Sequence, residues 1–219
     1  MSKYPIFIEL GGRRVVVIGA GQVAVRKIQP LLAAGARIVV VAKDTDKVMT
    51  TLCQGKNIEL IKSKYCKDYL AGAALAIAAT NDHKLNKQIH KDCQELEVLC
   101  NVVDQPELCD FFVPAVVKRG DLQIAVGTEG HCPAYSGHLR KKLEEIFTDK
   151  HGEFLAELET FRKKLTKAVP DSARRKAISG RLVDEKSFEY FIQNGSSRWH
   201  GYAEKLTTEM LTETQNQVQ

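Results

Sequence analysis

The sequence predicts an α/β fold in which a parallel sheet occupies the first half of the chain. Two observations support this prediction. Short apolar runs that are typical of strands alternate with amphipathic segments over the first hundred residues, and a glycine-rich turn joins the first run to the first helix. Strands that are separated by helices usually pair in parallel and are covered on both faces, so we expect a buried sheet.

Each element follows from its own pattern. The run "RRVVVIGAG" (13–21) predicts a strand, "QVAVRKIQPLLAAGA" (22–36) a helix with one apolar face, and "RIVVVAK" (37–43) a second strand. Gly35 is suited to end that helix. The remaining segments of this half are strands at 58–63, 74–80 and 97–104, and a helix at 83–96.

The pattern changes after Pro114. The run "LQIAVGT" (122–128) predicts another strand, and the later apolar residues occur at helical spacing among many charges. We therefore predict a sheet domain at 1–113, a central segment at 114–147 and a helical C-terminal domain at 148–219. The central segment combines an exposed strand with amphipathic helices and has little core of its own, which favours a dimerisation segment in a homodimer.

Composition restricts the location of the protein more than its function. Hydrophobic residues make up 44% and charged residues 27%, and the net charge of +5 mildly favours an anionic ligand. The six cysteines include no CxxC pair, so reduced thiols are expected. We find no apolar signal segment and no run of about 18 apolar residues, and we predict a cytoplasmic protein without a membrane partner.

The first turn has the pattern of a dinucleotide site. In "VVVIGAGQVAVRK", Gly19-x-Gly21-x-x-Ala24 lies between a strand and a helix. Gly19 would permit the tight turn, Gly21 would let the backbone approach a pyrophosphate, and Ala24 would let the helix pack closely. The amides of Gln22 and Val23 would hold the pyrophosphate at the positive helix end. The alternative is a sharp turn without a ligand, but the flanking βαβ pattern favours a Rossmann-like sheet.

The ends of two later strands would complete the cofactor site. Lys43 and Asp44 follow the second strand, where the adenosine ribose is recognised. Asp44 favours NAD and Lys43 suits the 2′-phosphate of NADP; the sequence leaves both open, and we prefer NAD. Thr80 and Asn81 end "AIAATN" and could lie near the nicotinamide half, or could equally cap the next helix.

Three segments read together resemble the precorrin-2 dehydrogenase family of siroheme (tetrapyrrole, or porphyrin) biosynthesis. They are "GAGQVAVRK", "AATND" and "NVVDQPELCDFFVPA", and the resemblance extends over roughly residues 4–145. It implies an oxidoreductase that is a homodimer and oxidises precorrin-2 to sirohydrochlorin with NAD. Some relatives also act as a ferrochelatase, so Fe²⁺ would be a transient substrate.

Asp104 is the candidate catalytic residue. It matches the family aspartate that is implicated in both steps, and it follows a predicted strand in "LCNVVDQPELCDFF". Dehydrogenation removes a hydride and a proton, and a carboxylate at this edge of the sheet could accept the proton or orient the ring nitrogens of the substrate. The alternative is that Asp104 caps its own turn.

The implied substrate carries several carboxylates, so we expect basic residues around it. Arg119 and Arg140 are preferred because they flank the resembling segment, although basic clusters are often only solvated surface. Thr128, which the family pattern retains, and His131 are the other proposed substrate contacts. The remaining basic clusters are 162–164 and 174–176.

The same segment departs from the family pattern at three positions. Glu129 replaces a glycine, Cys132 a serine or threonine, and Gly137 an arginine. A transient iron contact would fall on His131 or Cys132. The histidines show no spacing that converges three ligands, so no stable metal site is expected.

Two other functions are left open by the sequence. One is an NAD(H)-sensing regulatory module in which Asp104 is idle, and the other is a sirohydrochlorin chelatase alone. The basic C-terminal half has no helix-turn-helix signature, so a nucleic-acid partner is not expected. An enzyme requires the Asp104 carboxylate for turnover, whereas a sensor does not.

Overall fold

The computed structural model describes residues 3–54 and 57–216. Residues 1–2 and 55–56 of the predicted first domain and residues 217–219 of the predicted last domain lie outside these ranges. The chain divides into two compact units. The first comprises Met1–Val113 with Glu129–His131, and the second comprises Pro114–Thr128 with Cys132–Gln219. Within the described ranges, no helix is both long and apolar enough to cross a membrane.

The first unit contains a five-stranded sheet, and all of its strands are parallel. The order is β3-β2-β1-β4-β5. The chain adds β2 and β3 on one side of β1 and then crosses over to add β4 and β5 on the other side, so the topological switch point lies between β1 and β4. The predicted α/β class with a Rossmann-like parallel sheet is confirmed. The strands are β1 Arg14–Ile18, β2 Arg37–Ala42, β3 Ile58–Lys62, β4 Leu75–Ala78 and β5 Leu99–Val102.

The side chains of each strand point alternately to the two faces of the sheet, and each face has its own apolar core. Helices therefore cover both faces. Val16 of β1 faces the core that contains Ile89, and Val17 faces the core that contains Ile28. Gly35 follows the first helix with a φ of 76°, as expected for a residue that ends a helix. The helices are α1 Gln22–Ala33, α2 Lys47–Leu52 and α3 His83–Glu95.

The second unit joins a β-hairpin to four helices. Only the second strand of the hairpin was predicted, and the first strand, which begins directly after Pro114, was missed. The helical core surrounds Trp199, which is fully buried and donates its indole N–H to Ser187 Oγ at 2.9 Å. The last helix is interrupted at Gly195, whose φ of 76° is not helical. The elements are β6 Ala115–Arg119, β7 Leu122–Val126, α4 Pro133–Ile146, α5 Asp149–Ala168, α6 Ser172–Leu182 and α7 Glu185–Asn216.

Candidate active site

The carboxyl ends of four adjacent strands form one continuous edge of the sheet. Adjacent strands lie about 4.8 Å apart, so the ends of β1 and β5 are separated by about 10 Å. The turns after β1, β2, β4 and β5 are therefore within reach of one extended ligand. Backbone N–H groups link these ends in turn, from Gly19 to Val41 O (2.9 Å), from Ala79 to Ile18 O (2.8 Å) and from Val103 to Ala78 O (3.0 Å).

Gly19 makes the tight turn after β1. Its φ is 111°, and a Cβ at this position would lie 2.2 Å from the carbonyl oxygen of Ala79. Only glycine is compatible with both features. Ala24 is fully buried, which allows α1 to pack closely against the strands.

The first turn of α1 has the chemistry that a pyrophosphate requires. Gly21 is the N-cap residue, and a Cβ there would meet no atom within 4 Å, so space lies beside its backbone. Within the described residues, no side chain caps this end, and the first turn contains no acid. The amides of Gln22 and Val23 thus keep their hydrogen-bonding capacity at the positive end of the helix.

The end of β2 presents Lys43 and Asp44 to solvent. Both side chains are exposed, and neither forms a hydrogen bond or ion pair within the part of the chain that the structure describes. The next acid, Asp46, instead caps α2 by accepting from the Met49 N–H at 2.8 Å. Both carboxylate oxygens of Asp44 are therefore available to a ribose hydroxyl, whereas one oxygen of Asp46 is occupied by the helix cap.

The end of β4 has one engaged residue and one free residue. Thr80 Oγ1 donates to Asn86 Oδ1 at 2.7 Å, and the Asn86 amide donates to Thr80 O at 3.0 Å. Asn81 is exposed and has no partner among the described residues. The helix cap is neither of the two predicted candidates but Asp82, which accepts from two backbone N–H groups of α3.

Asp104 lies at the tip of a turn after β5. The Gln105 N–H donates to Val102 O at 3.4 Å, and Asp104 has a φ of 61°, in the left-handed region. Its side chain is exposed, not enclosed by apolar groups. Across the described ranges, its carboxylate accepts no hydrogen bond, so it does not cap its own turn. The carboxylate is thus presented to solvent at the shared edge of the sheet.

Three side chains that the sequence did not single out hold the segment around Asp104. Asn101 Nδ2 donates to Phe111 O at 2.8 Å, and the Cys100 N–H donates to Asp110 Oδ2 at 2.8 Å. Cys109 Sγ accepts from the Val102 N–H at 3.3 Å, and burial raises the pKa of its thiol. An asparagine inside an apolar strand was the one signal for this network, because buried amides require partners.

Gln105 ties the same turn to the start of α3. Its buried side-chain nitrogen lies 3.0 Å from Nδ1 of His83. Since the amide can only donate through nitrogen, Nδ1 of His83 accepts. In the described residues, no group of three or more His, Cys, Asp or Glu side chains is arranged to hold a metal ion.

The two predicted arginines belong to the second unit, and each is already paired. Arg119 Nε lies 3.5 Å from Asp149 Oδ1, and its Nη2 donates to Glu144 O at 3.3 Å. Arg140 forms an ion pair with the side chain of Glu144, four residues later on α4. Both arginines therefore have partners within the second unit, and only part of each guanidinium is available to a ligand.

The loop before α4 contains the other predicted substrate contacts. Thr128 Oγ1 accepts from the Cys132 N–H at 3.3 Å, and His131 is exposed. Glu129 has a φ of 52°, so the chain keeps a left-handed backbone where the family pattern has glycine. Gly137 is half-buried, and a Cβ there would meet no atom within 4 Å.

Similarity to known proteins extends over both units. A family model described as "Putative NAD(P)-binding" matches residues 6–115. The chain is 35% identical over 186 residues to the siroheme synthase of Psychrobacter arcticus. The matched region makes up 85% of this chain and 34% of that protein. The chain is 39% identical over 178 residues to the siroheme synthase of Pseudomonas putida strain W619, with 81% and 38% covered.

These relatives are longer than this chain. Over its full length the chain is 30% identical to the siroheme synthase of Psychrobacter sp. strain PRwf-1, yet it covers 44% of that protein. Among solved structures, SirC, a precorrin-2 dehydrogenase, matches with a TM-score of 0.76 at 21% identity, covering 92% of this chain and 99% of SirC. The sequence similarities confirm the resemblance noted above, and the structural match shows the shared fold.

Proposed function

Because the chain belongs to the NAD(P)-binding family that matches its residues 6–115, we propose that it oxidises precorrin-2 to sirohydrochlorin with NAD as the hydride acceptor. One observation carries the proposal. The glycine turn follows β1 and the exposed Asp104 follows β5, and the carboxyl ends of these two strands lie at the same edge of the parallel sheet, about 10 Å apart. The relatives named siroheme synthase and the fold shared with a precorrin-2 dehydrogenase support this substrate.

The residues along this edge fit NAD in order. The turn of Gly19 and Gly21, with the amides of Gln22 and Val23, would hold the pyrophosphate. Asp44 would accept a hydrogen bond from the adenosine ribose, and Lys43 beside it would contact the same end of the cofactor. Thr80, through its backbone, and Asn81 would contact the nicotinamide half. Bound NAD supplies the hydride-accepting ring.

Asp104 has the proposed role of proton acceptor. The substrate loses a hydride to the cofactor and a proton to a base, so one carboxylate is sufficient. An exposed carboxylate without partners in the described residues has free lone pairs for that proton or for the N–H groups of the substrate. Thr128, His131, Arg119 and Arg140 are proposed to contact the substrate, the arginines through the donors that their ion pairs leave free.

Anaerobic incubation with precorrin-2 and NAD tests this function. We expect NADH and sirohydrochlorin to form together, and Asp104→Asn to lower turnover by about 10²- to 10⁴-fold while NAD still binds. The matched control is Glu107→Gln, which removes an exposed carboxylate from the same loop and should remain active. If wild-type protein binds NAD but forms no NADH, the proposal is wrong and a sensing module is favoured. Added Fe²⁺ tests iron insertion separately, by a spectral change faster than in the enzyme-free control.

We also propose that the protein is a cytoplasmic homodimer assembled through residues 114–147. The two strands of the hairpin pair only with each other in the described residues, so each presents an open edge to a partner. Light scattering at micromolar concentration should give twice the mass of the chain. A monomer there would contradict the dimer.

A further inference from the structure

Positive charge is concentrated in one helical hairpin of the second unit. Residues 162–181 contain eight Lys and Arg and one Asp, a net charge of +7. The whole chain carries +5, so all the other residues together carry −2. An even distribution of solvated charge does not produce such a contrast, and a local field of this sign attracts anions.

A cleft of about 310 Å³ lies between the two helices of this hairpin. Arg162, Leu165 and Thr166 of α5 line one side, and the side chains of α6 line the other. Those from α6 are Arg175, Lys176 and Ser179. Among these described residues there is no carboxylate, and three cations and two hydroxyl groups surround the buried Leu165.

Two local contacts keep this charge available. Arg175 Nη1 donates to Val169 O at 2.8 Å and to Pro170 O at 2.5 Å, which holds the guanidinium in place through one of its nitrogens. Asp171, the one acid among residues 162–181, accepts from the Arg174 N–H at 2.7 Å as the N-cap of α6. Its carboxylate therefore serves the helix end, and no ion pair within the described ranges involves Arg162 or Lys176.

We propose that this cleft binds a small molecule with two or more oxyanionic groups, either phosphates or carboxylates. The Thr166 hydroxyl already donates to Arg162 O at 2.9 Å, so the donors to a ligand are the arginine forks, Lys176 and the Ser179 hydroxyl, which suit both groups. The volume is at the lower end for small-molecule pockets, about 300–1,000 Å³, and favours a compact ligand over a nucleic-acid backbone, which requires a long track of phosphate contacts. This inference does not depend on the proposed dehydrogenase activity.

Titration of the full chain with pyrophosphate and with citrate, at constant ionic strength, tests the site. Pyrophosphate could also bind at the glycine turn, so a local signal is needed. The chain has one tryptophan, and Trp199 belongs to the same apolar core as Leu165 of the cleft. We expect saturable changes in Trp199 fluorescence with one or both anions. Preference for pyrophosphate would identify a phosphate ligand, and preference for citrate a polycarboxylate.

Charge-matched double variants distinguish the cleft from general attraction. Arg162→Gln with Lys176→Gln should weaken binding about tenfold or more, because two charged donors are lost. Lys164→Gln with Lys167→Gln removes the same charge outside the cleft and should weaken it less than about threefold. All four side chains are exposed, and thermal unfolding of each variant verifies the fold. Equal losses in both pairs, no saturable signal, or tighter binding of duplex DNA than of either anion would overturn the proposal.

Discussion

The backbone at Asp104 allows a structural role to be separated from a chemical one. Its φ of 61° lies in the left-handed region, where asparagine and aspartate are tolerated and alanine costs about 1–2 kcal/mol. The exposed side chain has no partner among the described residues. We therefore predict that Asp104→Asn changes the free energy of unfolding by less than about 0.5 kcal/mol, and that Asp104→Ala lowers it by about 1–2 kcal/mol.

Asp104→Gly involves two opposing effects. Glycine removes the left-handed strain, but it increases the conformational freedom of the unfolded chain by about 0.5–1 kcal/mol. We expect this variant to remain within about 1 kcal/mol of the wild type and above the alanine variant. Equilibrium urea unfolding of the four proteins measures this order.

Activity should follow a different order from stability. All three substitutions remove the carboxylate, so each should lower the rate of NADH formation by about 10²- to 10⁴-fold. Rates are compared at a temperature where the alanine variant is fully folded. Activity that follows the stability order, with an active asparagine variant, would refute the chemical role of Asp104. A loss of more than about 1 kcal/mol for Asp104→Asn would show instead that the carboxylate holds the turn.

Three further predictions concern stability and binding. Gly21→Ala should keep the fold, because its Cβ meets no atom within 4 Å, but NAD titration should show binding weakened about tenfold or more. Gly19→Ala should instead lower the free energy of unfolding by about 2 kcal/mol or more, which thermal unfolding measures. Gly152→Ala places a Cβ 2.4 Å from a carbonyl oxygen of the β-hairpin and should lower the free energy of unfolding by about 1–3 kcal/mol. Gly201 lies in a helix with open space around it, so Gly201→Ala should raise that free energy by about 0.5–1 kcal/mol; urea unfolding measures both variants. Hydrogen bonds from Ser196 and His200 of α7 lower the pKa of Glu157 below its ordinary 4.5. The contribution of the Glu157 carboxylate to stability is therefore present above pH 4.5 and is lost as the pH falls through the folded pKa. Glu157→Gln should therefore reduce the acid sensitivity of unfolding.

The sheet was predictable because its signals are local. Val15, Val16 and Val17 form an uninterrupted apolar run, and such a run is typical of a strand covered on both faces. The missed strand β6 has the same kind of residues, but its burial alternates and Pro114 precedes it. Its strand structure depends on pairing with β7, and that pairing is a tertiary contact that periodicity does not contain.

The site was predictable in part for the same reason. The requirement for glycine at position 19 arises within a turn of a few residues, so the sequence pattern around Gly19 is sufficient to predict it. The contacts of Asn101 and Asp110 join residues about ten positions apart, so they arise only when the loop closes. The capping role of Asp82 rather than Thr80 depends on where α3 begins, and helix ends are the least certain feature of a sequence pattern.

The left-handed residues give an independent argument for Asp104. Within the described residues, the non-glycine positions with positive φ are Glu97, Asp104 and Glu129. Such strain persists only where the surrounding structure determines the backbone, and the network of Asn101 and Cys109 does so around Asp104. Glycine would adopt the backbone conformation of this turn without strain, and among the residues that the structure describes the Asp104 side chain forms no hydrogen bond or ion pair that would compensate. A carboxylate without a partner among the described residues, at the edge where the glycine turn lies, is consistent with the proposed role of Asp104 as proton acceptor, and the three Asp104 variants test that role.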